Sequence, residues 1–532
     1  MNSFNFKDST VYRAFKKEKF FLFYFAGFLK DFFLVLFIIS LLLTGLSFVN
    51  LASGYYSLKA VAVFFALSVI FWNLDLFLRF KIQKSDNGLT LDKNLQDLQN
   101  YNLAEFLDLS SAKIVDGCIS FCNSKKIPLN SSALFYYATR ASKDVSLICF
   151  RLGMDPKKLQ ISLKNYLEKF PKQQDFAGKV SEDFIKTIES AIFLAKTRQK
   201  KKVGEKEILV GLAKEDPFLK QAMIEFDLKP QDVENLTLWL DSAELMLEKN
   251  KKFWTKESLA KNGSLGKDWS SGYTVTLDKF SIDWRRAVSK WRYREIIGHK
   301  KEIEQTEVIL ARSDLANVLI VGDPGIGRKS IVEALAQKCF LGTSLPQLNN
   351  KRVVELDLVM LAAKIPDFER LEFELDQIFS EAAASENVIL VVDDLENFIN
   401  QKTQRAGAFD ISGVLAKYLL MPSFKFIGIT SYDGLHNNIE ENSSFAGHFQ
   451  KVEVSEISES ETINVLQTSA LDLEYRYKVL VLYPSIREIV NLTARYIPSL
   501  PFPKKALDVL NEAVIYVQRL KEKVVLPHHV AE

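Results

Sequence analysis

Residues 316–340, ANVLIVGDPGIGRKSIVEALAQKCF, constrain the fold of this chain more than any other stretch. An apolar strand-like run leads into a glycine-rich turn, and a helical pattern opens where the turn ends. That order is the context in which a G-x-x-x-x-G-K-[ST] phosphate-binding loop is meaningful rather than a chance match. Gly322 and Gly327 keep the spacing, but Arg328 stands where the lysine belongs and Lys329 where the hydroxyl residue belongs. Gly322, Asp323, Pro324, Gly325, Ile326, Gly327, Arg328, Lys329 and Ser330 are therefore the candidate nucleotide-binding loop. Its glycines let backbone N–H groups close around phosphates, and the helix N-terminus adds partial positive charge.

Two more segments fit the same architecture. NVILVVDDLENF is an apolar strand ending in Asp393 and Asp394. Asp393 is the candidate Mg²⁺ ligand, usually acting through water, with Asp394 beside it. FKFIGITS is a third strand, ending in Thr430 and Ser431, whose hydroxyls suit sensing of a γ-phosphate. Strands alternating with helices predict a parallel α/β core.

A chain of 532 residues is too long for one core and predicts about three domains. With 69 basic against 66 acidic residues, a net charge of +3 gives no global field for nucleic acid, and no nucleic-acid partner is expected. Cys118, Cys122, Cys149 and Cys339 are too few for a disulfide framework. The four-residue spacing of the first two is that of one helix face, so buried thiols in a reducing compartment are expected rather than a metal site.

The first 90 residues have a different character. Phe32–Val49 and Ala60–Phe80 are apolar runs near the length a bilayer requires, joined by the short loop NLASGYYSLK. They predict two transmembrane helices, over about 32–51 and 60–80. Arg13, Lys16, Lys17, Lys19 and Lys30 precede the first run, and Arg79, Lys81 and Lys84 follow the second, whereas the loop carries Lys59. The positive-inside bias then places both ends, and the bulk of the chain, on the cytoplasmic side of a cell membrane. The aromatic stretch Phe20–Phe28 suits the interface.

Residues 95–242 carry apolar positions at three- and four-residue intervals and predict an all-helical domain. The segment beginning KKIPLNSSALFYY is echoed by the one beginning KKVGEKEILVGL, with Met154-Asp155-Pro156 matching Leu228-Lys229-Pro230. Two copies of one helical unit are expected, in pseudo-twofold packing. Residues 243–290 are polar, with Gly and Ser punctuation, and read as a linker; Trp254 and Trp269 among lysines do not change that reading.

Taken together, residues 95–532 resemble the first half of a Clp protease ATP-binding subunit, in the AAA+ group of protein unfoldases. The helical repeat resembles the Clp repeat domain, which implies protein substrates or adaptors as partners there. REIIGHKKEI resembles the family's opening VIGR stretch and implies that Ile296 and Ile297 flank the adenine. IVEALAQK, KRVVELDL and YIPSLPFPKKALDVLNEA continue the likeness in order, the last in a small helical lid. The expected layout is a two-span hairpin over 1–90, a Clp repeat domain over 95–242, a linker over 243–290, a large P-loop domain over 291–455 and a lid over 456–532. The resemblance further implies ATP and Mg²⁺ as cofactors, a homo-oligomeric ring of six and a Clp-type protease as partner.

The departures from that pattern fall on the chemistry. Arg328 replaces the loop lysine with a longer, planar cation. Lys329 replaces the hydroxyl that binds Mg²⁺, and Ser330 lies about 100° further round the helix. Asp394 is one methylene shorter than the glutamate that orients water. The family's arginine fingers, LERRF, read FAGHF here, with Gly447 and His448 in their places. The lid arginine reads Leu500, and the pore-loop KYRG reads PDFE, leaving Phe368 as its aromatic. A module poor in hydrolysis is expected. KVVLPHHVAE aligns with a phrase that leads into a second AAA+ module in the family. Two readings stay open: the membrane-tethered front half of an unfoldase, or a pseudo-ATPase scaffold recruiting clients to the membrane.

Overall fold

The computed structural model describes residues 4–18, 21–49, 54–85, 91, 101–170, 180–251, 274–290, 298–399 and 410–532. The chain divides into two compact units, Met1–Leu238 and Trp239–Glu532.

The first unit opens with a short helix, α1 (Thr10–Glu18), followed by two long ones, α2 (Phe21–Val49) and α3 (Gly54–Ser85). No proline interrupts either long helix, and 18- and 19-residue windows in them reach mean hydropathies of 2.1 and 2.0. Both are long and apolar enough to cross a membrane. They pack as a hairpin turned inside out relative to a soluble protein. Among their described side chains, those buried are Ser40, Thr44, Ser68 and Asp75, all polar, while Phe28, Leu42, Phe65, Ile70 and Phe77 face outward. Lys30 lies 3.8 Å from Asp75 across the two helices.

The segment before the hairpin does more than flank it. Phe6, Val11, Ala14 and Phe15 are buried, the last three at helical spacing on one face of α1. Phe4 meets Phe184 edge-on at 5.0 Å, and the Asn5 and Thr10 amides donate to Asn102 and Glu105 at 3.0 and 2.9 Å. Residues 4–18 thus pack into the helical domain, whereas the sequence grouped them with the anchor alone.

That domain consists of two successive sets of four helices. The first is α4 (Leu109–Lys125), α5 (Ser131–Ala141), α6 (Lys143–Arg151) and α7 (Pro156–Glu168). The second is α8 (Glu182–Thr197), α9 (Glu205–Glu215), α10 (Pro217–Glu225) and α11 (Pro230–Lys251). Local chemistry sets the boundaries. Asp108, Asn130, Ser142, Asp155 and Asp216 each cap a helix by accepting from a backbone amide in its first turn. Pro156, Pro217 and Pro230 begin α7, α10 and α11, where a missing N–H costs nothing. The matched turns at Pro156 and Pro230 therefore start equivalent helices. Parallel bridges join Leu107 to Val203 and Leu129 to Val180, linking the approach to each set with the other.

The second unit is built on a six-stranded sheet. Its strands are β1 (Ser281–Asp283), β2 (Asn317–Val321), β3 (Arg352–Leu356), β4 (Val388–Val392), β5 (Lys425–Thr430) and β6 (Gln450–Glu453). The order is β1-β3-β4-β5-β2-β6, parallel throughout except for β1, which runs antiparallel along β3. Strands β2, β4 and β5 are buried along their whole length, as expected of a sheet covered on both faces. Leu319, Val321, Leu390 and Phe426 pack into one core, Val318, Ile320, Ile389 and Ile427 into the other.

Among the helices on those faces are α12 (Val275–Lys279), α13 (Trp284–Lys290), α14 (Lys300–Leu310), α15 (Arg328–Leu341), α16 (Leu358–Lys364), α17 (Phe368–Ser385) and α18 (Ser412–Leu419). A separate lid core is formed by α19 (Glu459–Tyr477), α20 (Tyr483–Tyr496) and α21 (Lys504–Arg519), closed by the two-stranded pair β7 (Leu480–Val481) and β8 (Val524–Val525) with α22 (Pro527–Ala531). The expected linker differs from this architecture at both ends, α11 running on to Lys251 at its start. Residues 274–290 form α12, β1 and α13, with Leu277 and Phe280 buried in the sheet core. The segment looks polar because Thr274, Asp278 and Asp283 all face the buried Arg352, with contacts of 2.7–3.1 Å. Trp254 and Trp269 lie outside the described residues.

Candidate nucleotide-binding site

Three strand ends converge on one crevice. In parallel α/β sheets ligands bind beyond the carboxyl ends of the strands, where connections diverge to opposite faces. Here β2 delivers the glycine-rich loop, β4 delivers Asp393 and Asp394, and β5 delivers Thr430 and Ser431; β5 lies between the other two. The Gly322 amide donates to the Thr430 carbonyl at 3.1 Å, which ties the loop to β5. Asp323 and Pro324 are exposed, Ile326 is buried, and Gly325 and Gly327 take φ values of +100° and +105°. Only glycine adopts those angles without strain, so the loop wraps as the spacing predicted. Gly327 then caps α15, whose first residues are Arg328, Lys329 and Ser330. The Ser330 amide donates to the Gly327 carbonyl at 3.0 Å, which fixes Ser330 one position past the place a metal-binding hydroxyl would need.

The two substituted cations do different things. The Lys329 ammonium lies 2.8 Å from Asp393 and 3.1 Å from Glu355 at the end of β3. Partial burial acts to lower its pKa, but its hydrogen bonds and charge contacts with Asp393 and Glu355 outweigh this and hold it above the ordinary lysine value. The Arg328 guanidinium is nine-tenths buried, meets Asp394 only loosely at 3.5 Å, and keeps Nη1 buried with no hydrogen-bond partner among the described residues. Asp394 sits in the left-handed region at φ +46°, a costly conformation for a side-chain-bearing residue. Burial, with the nearby Asp393 and Glu396 charges, pushes its carboxyl above the usual carboxylate range; Arg328 and Lys329 oppose this.

The loop glycines, the start of α15 and the unpartnered Arg328 nitrogen suit the phosphates of a nucleotide. The same residues do not suit Mg²⁺, because an ammonium already neutralises the carboxylate that would face the metal. The other expected residues are placed as follows. Thr430 is buried and its hydroxyl donates to the Ser431 carbonyl at 3.2 Å. The Ser431 hydroxyl donates to Glu396 at 2.9 Å and accepts from the Gly434 amide at 3.0 Å. Gly447 is exposed and His448 half-buried, just before β6. Phe368 is exposed as the first residue of α17, and Leu500 is exposed in the lid. Ile296 and Ile297 lie outside the described residues.

Three residues at the site were not singled out in the sequence. Glu355 shares Lys329; Glu396 receives the Ser431 amide and hydroxyl. His299, buried at the head of α14, donates through Nε2 to the Ile326 carbonyl at 2.8 Å and braces the loop from behind. A glutamate two places beyond a strand-end Asp-Asp pair was the one available signal, and it did not say which way the side chain turns.

Comparison with known proteins agrees with this geometry. Residues 318–451 match the ATPase family associated with various cellular activities (AAA), and residues 458–526 match the AAA lid domain. A Clp protease ATP-binding subunit ClpA homolog from Guillardia theta is 29% identical over 314 residues, 58% of this chain and 36% of that protein. The chaperone protein ClpB of Aquifex aeolicus is 30% identical over 237 residues, 44% of this chain and 24% of that protein. Its AAA and lid regions are similar to those of the Clp-type AAA+ ATP-binding subunits. A third member, the negative regulator of genetic competence ClpC/MecB of Bacillus subtilis, is 30% identical over 46% of this chain and 30% of its own length. The chain thus spans well under half of the Clp-type relatives it matches. The parallel sheet with its P-loop and the helical lid are the AAA and lid domains of that family.

Proposed function

We propose that this chain is a membrane-anchored ATP-binding subunit of Clp type, working in protein unfolding or quality control, whose nucleotide module hydrolyses poorly. The observation carrying the second half is the Lys329 ammonium between Asp393 and Glu355. ATP supplies a phosphoryl group to water when bound in such modules, and Mg²⁺ ordinarily neutralises the charge. In this chain the loop amides and Arg328 bind and orient the phosphates. Lys329 supplies fixed positive charge where a hydrated metal would otherwise enter. Asp394, short and held at positive φ, is a weak positioner of water.

Membrane anchoring draws support from the hairpin with polar side chains inside and apolar ones outside, an arrangement suited to lipid and not to water. The two four-helix sets are the Clp repeat domain, receiving protein substrates or adaptors. A hexameric ring and a Clp-type protease are the further partners the family relationship suggests. The Lys329–Asp393 pair also favours a second reading, a pseudo-ATPase scaffold that binds nucleotide and gathers clients at the membrane.

Reconstitution of the chain in lipid vesicles tests both halves. Protease added to the face carrying the basic flanks should remove everything beyond α3 and leave the hairpin protected. Phosphate release should stay near background while labelled ATP is retained. Protection of the lid from protease on that face, or turnover abolished by Asp394→Ala, overturns the proposal.

A further inference from the structure

α1 has the make-up of a helix that lies on a bilayer: apolar residues on one side, basic residues on the other, and a candidate membrane span directly after it. Such a helix ordinarily buries its apolar side among lipid tails. Here that side is already covered by protein. Val11, Ala14 and Phe15 are buried, and α1 lies against α3, α4 and the turn Leu103–Phe106. Polar contacts fix the segment to the same turn. The Asn5 amide donates to the Asn102 side chain at 3.0 Å, and the Asn102 side chain donates to the Asn5 carbonyl at 2.6 Å. Thr10 donates to both oxygens of Glu105, through its amide at 2.9 Å and through its hydroxyl.

What faces outward is charge. Lys7, Arg13 and Lys16 are exposed, and none of them has an ion-pair partner among the described residues. Asp8, the one acid from residue 4 to residue 16, accepts from the Asn5 side chain at 2.5 Å. Position supplies the partner. Lys16 precedes Phe21, where α2 begins, by five residues, so at most about 17 Å of chain separates the two. On a membrane-spanning hairpin that distance reaches the headgroup layer, and an anionic surface extends its field about 8 Å further in physiological salt. A layer of phosphates is the anion that matches unpaired cations in that place.

We propose that the outward face of α1 is a binding surface for anionic phospholipid headgroups, with Lys7, Arg13 and Lys16 as its contacts. This rests on the membrane-anchored reading above. It adds that α1 is a plate with two working sides: one holds the helical domain, the other holds lipid charge. The domain is therefore drawn onto the bilayer in proportion to the anionic content of the facing leaflet. Because Val11, Ala14 and Phe15 are taken up by the protein, the attraction is electrostatic. It vanishes in neutral lipid and weakens as salt rises.

The test reconstitutes the full chain in vesicles of phosphatidylcholine, alone or with roughly 30% phosphatidylglycerol, and follows acylation of each lysine by mass spectrometry. Lys7 and Lys16 should react at least about threefold more slowly in the anionic vesicles, and about 0.5 M salt should abolish the difference. Lys521, exposed in the lid, should react alike in both. Arg13→Gln leaves the apolar side intact, so it should reduce the protection of Lys16 without changing thermal unfolding. Equal rates in the two lipids overturn the assignment while leaving the anchor standing. Slowing in both lipids alike also overturns it, since that is the mark of α1 entering the tails by its apolar side. A chain that floats with neither vesicle overturns the anchor and the assignment together.

Discussion

The Lys329 ammonium lies 2.8 Å from the Asp393 carboxylate, in the relationship a divalent cation would otherwise have with that residue. A built-in cation competes with a diffusible one. Nucleotide affinity should therefore change less than about threefold between EDTA and millimolar Mg²⁺. Lys329→Thr removes the ammonium and leaves Asp393 and Glu355 facing an open position, so in that variant Mg²⁺ should strengthen ATP binding tenfold or more, roughly. Titration calorimetry reads both. A strong metal requirement in the unaltered chain would sink the argument.

The parts of the site that depend on order along the chain were legible in the sequence. The loop glycines, Asp393 and Asp394, and the strand ending at Thr430 all come together, because buried parallel strands announce themselves as short apolar runs. What was not legible depends on tertiary contact. The strand β1 is three residues long, and its polar Asp283 makes sense only beside Arg352, 69 residues away. The packing of residues 4–18 on the helical domain rests on a few apolar residues in a basic stretch, which reads equally well as a membrane flank. Residue type suits Thr430 and Ser431 to phosphate sensing, but their hydroxyls turn to the Ser431 carbonyl and to Glu396.

Gly211 on α9 marks a close approach of α8 and α9 within the second helical set. A Cβ there would meet the Thr187 carbonyl at 2.5 Å and Ala191 at 3.3 Å, and backbone cannot step aside. Gly211→Ala gains about 1 kcal/mol of helix propensity but forces α8 and α9 apart, costing more than it gains, about 1–3 kcal/mol. Gly413 in α18 has nothing within 4 Å, so Gly413→Ala should be neutral or stabilising by a few tenths. Thermal unfolding followed by circular dichroism should show the first variant melting earlier and the second unchanged or later. The opposite order would mean that the α8–α9 contact is looser than it stands here.

Asp283 gives the nucleotide module a stability component that acid removes. Burial works to raise its pKa, but hydrogen bonds and charge from Arg285, with the charge of Arg352, more than offset this and hold the carboxyl below the usual range. Since the folded value lies below the unfolded one of about 3.9, the stabilisation is complete above the unfolded value. It is lost as pH falls through the folded value. Asp283→Asn should cost roughly 2–3 kcal/mol at neutral pH, because Arg352 is left buried with weaker partners. The gap between the two proteins' unfolding midpoints should be constant from pH 7 to about pH 5 and shrink below about pH 3. A gap that widens on acidification would reverse the sign assigned to Asp283.

The last prediction concerns restoring hydrolysis, because the substituted positions act on different parts of one step. On the proposed reading, Lys329 stands where a metal would enter, Asp394 is one methylene shorter than a glutamate and held at positive φ, and Gly447 and His448 stand just before β6 where the resemblance expects arginines. A missing arginine finger alone lowers rate by about 10³–10⁵. Residues that work as a unit do not return activity one at a time. Arg328→Lys with Lys329→Thr should therefore recover metal-dependent binding and little turnover. Adding Asp394→Glu, Gly447→Arg and His448→Arg should raise phosphate release by at least a hundredfold, roughly, over that double variant. The check is steady-state phosphate release from the chain in detergent, with binding measured in parallel so that a misfolded variant is recognised. Full recovery from the loop pair alone would show that Asp394, Gly447 and His448 are not limiting, and that the ammonium of Lys329 was the sole obstacle.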